Sequence, residues 1–551
     1  MTIKEQIYGK GSSRLAVLGI VFIITLVYAN SLMNLFVWDD YLVIVNNNFI
    51  KSWQNLPAVF SKVYLSPFVK KGCCFFVDSG IGSGETSYRP AVTLSYFLDY
   101  SAWKLNAFGY HLTNLFLHIT NALLLYFLIN SLLKNRKAAF LGALLFALHP
   151  VNSEVVNLPS FREDLLSFLF YLASFISYIK LRDSPRPKVF LLYAFSLLSF
   201  ALALFSKEMA VTLPIILITY DYFFTCPDKP PTVFGRPISY YLGYICVLLF
   251  YVWVRFFVMV NVSEPPAEFV GGDFYTNILT MSRVIATYIK WIFIPVGIPA
   301  IMPNEPYLIS VSLFSPPVLF SLGLIAVSFV AAVRLRKTSK VASFATLWFF
   351  LTLLPVANIL PIPNYIASRY LYIPLAGFCL LIALYLAKSN SSKAVTGVVI
   401  AALIFYSAAS FRKNFSWRNN TVFHLGLVKR FPHNALGHAG LGDCFKEKGL
   451  SDKAINEYKI AIRLNPELLE AYNKLGIVCG EIGRYDDAVA YFKQALKIDP
   501  NNLGVYNNLA ITYARIKNWP QARENWEKAL KINPAFKESR DNLNKLKEFG
   551  F

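Results

Sequence analysis

The chain has 551 residues, 56% of them hydrophobic and only 15% charged, with a net charge of +21. Together with a mean hydropathy of +0.46, that balance excludes an ordinary soluble domain and a disordered chain, and it marks an integral membrane protein. The basic surplus does not call for nucleic acid: residues 435–551 hold 18 Lys and Arg against 15 Asp and Glu, so +18 of the charge belongs to the apolar part, where cations flank membrane spans.

In chain order, the first apolar run, Leu15 to Met33, follows Lys4, Lys10 and Arg14 and lacks a small-x-small cleavage site, so it reads as an uncleaved first transmembrane helix. The longest non-spanning segment follows, 35–108, with the adjacent carboxylates Asp39 and Asp40, the turn-rich "DSGIGSGETSYRP" and Arg89. Its Trp38, Tyr41, Trp53, Tyr88, Tyr96 and Trp103 argue against disorder. Cys73 and Cys74 are neighbours that cannot comfortably bridge each other, and the cysteines form no disulfide framework.

Apolar stretches then recur at 110–133, 138–157, 163–180, 188–205, 209–225, 238–260, 312–333, 341–361, 370–387 and 394–411, which with the first predicts eleven spans. From a cytoplasmic N-terminus this count places "KNRK", "KLRDSPRPK", "RLRKTSK" and "KSNSSK" on the cytoplasmic side, as the positive-inside rule requires. The further apolar stretch 277–296 carries Arg283 and Lys290 and ends in "IPVGIP"; counting it as a span would put "RLRKTSK" on the wrong side, so it reads as interfacial or re-entrant. An odd count sends everything beyond Phe411 to the outer face.

After a linker at 412–434, an internal repeat occupies 435–551. Pro432, Pro466, Pro500 and Pro534 recur every 34 residues, the tetratricopeptide (TPR) period. Gly442, Gly476 and Ala510 stand where paired helices approach, and Tyr458, Phe492 and Trp526 stand where an aromatic fills the groove between them. Three repeats with a capping helix over 535–549 make a stable solenoid, and Cys444 and Cys479 fall in its core. The fold class is thus all-α: a polytopic helical bundle, residues 1–411, followed by a TPR solenoid.

Ionisable residues gather at span ends on the outer side: Asp39, Asp40 and Arg89; His149, Glu154, Arg162, Glu163 and Asp164; Lys207 and Glu208; Arg369 and Tyr370. Singly each reads as a cap or an interface anchor, but as a set on one face they mark a substrate path. A carboxylate can take a proton from an attacking hydroxyl, and Arg and Lys can neutralise a phosphate. Together they suit transfer of a sugar from a lipid phosphate. Asp39 and Asp40 also suit a hard divalent cation, but two adjacent carboxylates supply too few ligands alone, and no metal site is assigned. His111 and His118, on one face of the second span, read as interhelical hydrogen-bonders.

"VWDDYLVIVNN", "SYRPAVTLSYFLDYSAWKLNAFGYHLTNLFLHITNALLLYFL", "ALHPVNSEVV", "LALFSKEMAVTLPIILITYD", "SRYLYIPLAGF" and the C-terminal repeats resemble, in that order, the transmembrane and tetratricopeptide repeat-containing O-mannosyltransferases. The resemblance covers nearly the whole chain. It implies a membrane glycosyltransferase of the GT-C class that inverts configuration and takes a polyprenyl-phosphate sugar, mannose in that family, as donor. The first outer loop would hold the catalytic pair Asp39 and Asp40. Arg89, Lys207 and Arg369 would lie at the donor phosphate, supported by Glu154, Arg162, Glu163, Glu208 and Tyr370. In "HPVNSE" Asn152 replaces a His of the family pattern. The expected partners are the lipid-linked donor, membrane lipids, and a protein or peptide acceptor engaged through the repeats, without nucleic acid. The chain reads as a prokaryotic relative in the inner membrane, its N-terminus cytoplasmic and its first loop and repeats extracytoplasmic. A transporter would place charges near span centres and a duplicated half in the membrane part, and a scaffold has no need of the acidic-basic set.

Overall fold

The computed structural model describes residues 3–61, 64–65, 68–71, 74–77, 87–181, 184–224, 238–259, 268–301, 309–388 and 393–548. Most of the turn-rich "DSGIGSGETSYRP", Cys73 and parts of two basic loops lie outside these residues. Two compact units divide the chain, one comprising 1–66 and 79–418, the other 67–78 and 419–551.

The first unit begins with α1 (Ile3–Tyr28), which tightens into a 3₁₀ turn over Ala29–Met33. The long loop that follows is not structureless: it contains α2 (Pro90–Trp103), started by Pro90 at its first helical position and burying Val92, Tyr96 and Phe97. Then come α3 (Ala107–Leu133), α4 (Arg136–Leu148), the short α5 (Ser153–Asn157), α6 (Arg162–Lys180), α7 (Arg186–Leu204), α8 (Leu213–Phe224) and α9 (Ile238–Trp253). The unit closes with α10 (Phe274–Phe293), α11 (Pro316–Leu335), α12 (Lys340–Leu353), α13 (Leu375–Lys388) and α14 (Lys393–Asn414). Side-chain caps at Asn106, Asn135, Asp273 and Ser339 accept first-turn amides and fix where α3, α4, α10 and α12 start.

Each of the eleven expected spans contains a helix, but the helices are unequal. Among the described residues five are long and apolar enough to cross a membrane, Arg14–Met33, Ala107–Leu133, Tyr240–Val258, Pro316–Leu335 and Lys393–Trp417, and a sixth results if α4 and the bent segment after it count as one. Others are shorter because they break where the chain enters the cluster of charged residues. The α4 helix stops before Pro150, α12 passes into a 3₁₀ turn at Leu354–Val356, and α13 is preceded by another at Ser368–Leu371. Proline cannot supply the amide hydrogen that continuing these helices requires.

The expected interfacial stretch is the helix α10. Along its length it bonds to loops at one end of the bundle: Asn277 donates to the Asn358 carbonyl, the Tyr288 hydroxyl accepts from Ala367 N–H, and the Ile292 carbonyl meets His149. It therefore lies across that end and buries one face. Inside the bundle, close helix approach depends on small residues. A Cβ on Gly377 would stand 2.6 Å from the Ala345 carbonyl oxygen of α12. His118 bridges helices as expected, to the Tyr372 hydroxyl at 2.8 Å and the Ala147 carbonyl at 2.9 Å.

Among the described residues the second unit is helical apart from a two-stranded antiparallel hairpin, β1 (Phe68–Lys71) with β2 (Cys74–Val77), in which Phe68 pairs with Val77. The segment expected as a linker contains a helix, α15 (Asn420–Arg430), capped by the Asn419 side chain. Three helix pairs follow: α16 (Ala435–Glu447) with α17 (Ser451–Leu464), α18 (Leu469–Glu481) with α19 (Tyr485–Ile498), and α20 (Leu503–Arg515) with α21 (Trp519–Ile532); α22 (Lys537–Glu548) caps them. The small repeat positions are needed: a Cβ on Gly442 or Gly476 would come within 2.6 Å of the Tyr458 ring or 2.7 Å of the Phe492 ring. Cys444 and Cys479 are buried in this core, as read from the sequence.

Candidate active site

The acidic pair follows α1 through a sharp turn in which Trp38 adopts a left-handed backbone conformation, φ 53°. The two carboxylates have different surroundings. Asp40 is fully buried; its Oδ2 accepts the Val37 N–H at 3.0 Å and its Oδ1 accepts the Ser160 N–H at 2.8 Å. It ties the turn to the segment between α5 and α6. Burial pushes its carboxyl up to about 6, with the Val37 and Ser160 amides and Arg162 pulling the other way. Asp39 is half-buried. Burial pushes it up to about 7, opposed by Arg369 and reinforced by Asp40, Glu163 and Glu154.

The cations come from distant segments. Arg89, just before α2, pairs with Glu163 of α6 and, at 3.1 Å, with Glu208. Lys207, in the turn after α7, lies 2.7 Å from Asp164 and 3.0 Å from Glu163. Burial works against its charge, but Asp164 and then Glu163 hold its pKa above the ordinary lysine range. At Glu208, which is only half-buried, partial burial works against the charge, yet Arg89 foremost keeps its carboxyl below the usual range. Arg255, in the π-helical turn Val254–Val258 that ends α9, approaches Glu208 at 3.6 Å. Arg255, Glu208, Arg89, Glu163, Lys207 and Asp164 thus alternate in sign along one chain of contacts.

Arg369 stands close by. Its guanidinium donates to Glu154 Oε1 at 2.6 Å, while the same carboxylate's Oε2 accepts from the Arg369 backbone N–H and the Ser368 hydroxyl. Its charged face covers the Phe161 ring at 4.3 Å. Tyr370 faces both Lys207 and Arg369 with its ring and donates its hydroxyl to the Asn364 carbonyl.

One expected member is placed otherwise. Arg162 is completely buried and points to α2 and α3, where it meets Asp99 at 2.5 Å, Asn114 Oδ1 at 2.8 Å, Ser95 Oγ at 3.1 Å and the Tyr110 carbonyl at 3.2 Å. It is a buried bracket for the segment that carries Ser160 and Phe161. Asn152, at the unusual position in "HPVNSE", donates to the Phe146 carbonyl at 2.6 Å.

The structure thus gathers Asp39, Asp40, Arg89, Glu154, Glu163, Lys207, Glu208, Arg369 and Tyr370 at one end of the bundle. Sequence reasoning missed Asp99, Arg255 and the Ser160 amide. An acidic residue in the apolar "YFLDYSAW" and a lone arginine at the end of an apolar run were the available signals for the first two. Each Asp40 oxygen accepts one amide hydrogen, and among the described residues no group of three or more His, Cys, Asp or Glu is arranged to hold a metal.

Helical bundle, repeat solenoid and site together define the class: a multi-pass membrane protein with C-terminal tetratricopeptide repeats. The comparisons narrow it. The family model described as dolichyl-phosphate-mannose-protein mannosyltransferase matches residues 103–255, and tetratricopeptide repeat models match 442–483, 469–502 and 491–524. Over most of its length the chain is similar to transmembrane and tetratricopeptide repeat-containing O-mannosyltransferases, as its motifs implied. Protein O-mannosyl-transferase F38B6.6 of Caenorhabditis elegans is 26% identical over 84% of this chain and 64% of its own length. The human TMTC3 is 22% identical over 83% of this chain and 52% of its own, and the human TMTC1 is 25% identical over 82% and 55%. The chain therefore spans about half to two thirds of these relatives.

Proposed function

We propose that the protein is a membrane glycosyltransferase of the GT-C class that moves a sugar, mannose in the reading nearest its relatives, from a polyprenyl phosphate to a hydroxyl of a polypeptide on the outer face of a prokaryotic inner membrane. The observation that carries this reading is Asp39: a half-buried carboxylate, raised to about 7, beside a chain of paired cations. A base with its pKa near the working pH removes a proton most effectively, an effect worth roughly 10²–10⁴ in rate.

In the reaction the acceptor oxygen attacks the anomeric carbon as Asp39 takes the hydroxyl proton. The bond from that carbon to the phosphate oxygen breaks, and the lipid phosphate leaves with the electron pair and one more negative charge, which nearby guanidinium groups offset. A single displacement of this kind inverts the anomeric carbon. Asp40 and Glu154 position the turn and Arg369, and the repeats hold the polypeptide acceptor.

The test incubates the purified protein with a panel of polyprenyl-phosphate sugars and follows loss of the lipid-linked donor and labelling of a peptide pool. Wild type should consume one donor, and Asp39→Asn should not. Equal consumption by both would remove Asp39 from the chemistry, and no consumption of any donor would remove the transferase reading.

A further inference from the structure

The cations at the site are not equally available to a ligand. Lys207 is 4% exposed between Asp164 and Glu163, and Arg369 is 10% exposed with its guanidinium engaged by Glu154 and laid on Phe161. Glu208 is different: its side chain is 37% exposed, and two arginines, Arg89 at 16% and Arg255 at 21%, converge on it. Arg89 Nη2 reaches both Glu208 oxygens, at 3.1 and 3.3 Å, and Arg255 Nη1 lies 3.6 Å from Oε2. The Tyr251 hydroxyl and Ser87 Oγ steady the Arg255 guanidinium at 3.1 and 3.4 Å.

We propose that Arg89 and Arg255 form the seat for the donor's phosphate, with the Glu208 carboxylate as a displaceable counterion that occupies the seat until the phosphate arrives. The inference rests on the transferase reading and identifies which cations contact the ligand. A phosphodiester carries one negative charge spread over two oxygens, as a carboxylate does, so it can replace Glu208 between the two guanidiniums. Glu208 is exposed enough to swing aside, whereas Glu163, Asp164 and Glu154 are buried and stay with Lys207, Arg89 and Arg369. Once the sugar has left, the phosphate carries more charge, so the seat binds the leaving group more strongly than the starting diester.

The place of Arg255 favours a lipid phosphate over a soluble one. It ends a helix long and apolar enough to cross a membrane, and Phe250, Trp253, Phe256 and Phe257 around it are exposed. A prenyl chain leaving the phosphate meets apolar surface there at once.

The test measures binding of farnesyl phosphate, inorganic phosphate and farnesol to the intact purified protein, alongside donor consumption. Arg255→Gln should weaken farnesyl phosphate at least ten-fold, Arg255→Lys should give a smaller loss, and Glu208→Gln should tighten binding several-fold by removing the competing carboxylate. Farnesol should bind all forms alike and inorganic phosphate should bind wild type more weakly than farnesyl phosphate. Binding by Arg255→Gln within two-fold of wild type, or a loss in Glu208→Gln as large as that in Arg255→Gln, would overturn the seat. Inorganic phosphate binding as tightly as the prenyl phosphate would overturn its assignment to a lipid. If wild type consumes donor while Arg255→Gln does so with an unchanged KM, the seat falls and the transferase reading stands; if wild type neither binds prenyl phosphate nor consumes donor, both fall.

Discussion

The carboxylate of Asp40 and the backbone amide of Ser160, 120 positions apart in the chain, are joined by a hydrogen bond of 2.8 Å. With the Val37 amide on its other oxygen, Asp40 is fully buried with both oxygens engaged by backbone, while its neighbour Asp39 stays half-buried among charged groups. In the proposed reaction the two adjacent aspartates therefore divide the work, Asp40 holding the turn and Asp39 acting as the base. Asp39→Asn should lower turnover at least ~100-fold, the scale of a lost general base, with unchanged yield of folded protein. Asp40→Asn must place an amide NH2 against one of two backbone donors and should cost about 1–3 kcal/mol of stability. Detergent-solution melting curves beside the donor-consumption assay separate the two effects; the same melting loss in both variants would contradict the division.

The raised pKa of Asp39 gives a pH dependence with a definite sign. A base must be deprotonated, so turnover should fall as pH drops through about 7 and level off above it. Stability runs the other way. The folded-state pKa lies above the unfolded one, so the folded state binds more protons between the two, and the contribution is full at low pH and lost as pH rises through about 7. Asp39→Asn should therefore melt above wild type at pH 8 and show a smaller difference at pH 5. A wild-type rate that is flat from pH 5 to 8 would argue against Asp39 as the base.

Arg162 and Asp99 form a buried pair in which the arginine has no exposed surface. Removing Asp99 leaves its charge uncompensated, which in a buried pair costs about 3–5 kcal/mol. Asp99→Ala should fold poorly or melt much lower, and Arg162→Lys should not restore the set, because an ammonium cannot reach Asn114, Ser95 and the Tyr110 carbonyl in the same fork. Yield of monodisperse protein and its melting midpoint report both.

How much of this could be read beforehand follows from which interactions residue types encode. Carboxylates and cations at the ends of apolar runs announced the cluster, and the 34-residue spacing announced the solenoid, because each is a pattern of side-chain chemistry along the chain. The difference between Asp39 and Asp40 could not be read, since it is made by the amides of Val37 and Ser160, which any residue there would supply. Asp99 was hidden because α2 lies in what the turn-rich stretch before it suggested was loop. Arg162 looked like its neighbours Glu163 and Asp164, yet each helical position turns a side chain by about 100°, and Arg162 faces α2 and α3 instead.

The repeat unit yields a prediction independent of the chemistry. At the end of the first helix of each pair the chain closes with the same two bonds: Gly449 to Lys446 and Leu450 to Phe445, then Gly483 to Gly480 and Arg484 to Cys479, then Lys517 to Ala514 and Asn518 to Tyr513. This closure needs a left-handed residue, and the three positions have φ of 71°, 81° and 59°. The first two are glycine, while the third is an exposed lysine whose Cβ makes that conformation cost about 1–2 kcal/mol. Lys517→Gly removes the strain and, after the added freedom of glycine in the unfolded chain, should stabilise the last repeat by about 1 kcal/mol. Hydrogen exchange on the intact protein should then show amides of α20 and α21 opening about five-fold less often, with α16 and α17 unchanged. The reverse substitution, Gly483→Lys, should raise exchange in α18 and α19 by a similar factor; no change in either variant would mean that the turn geometry does not limit the stability of these repeats.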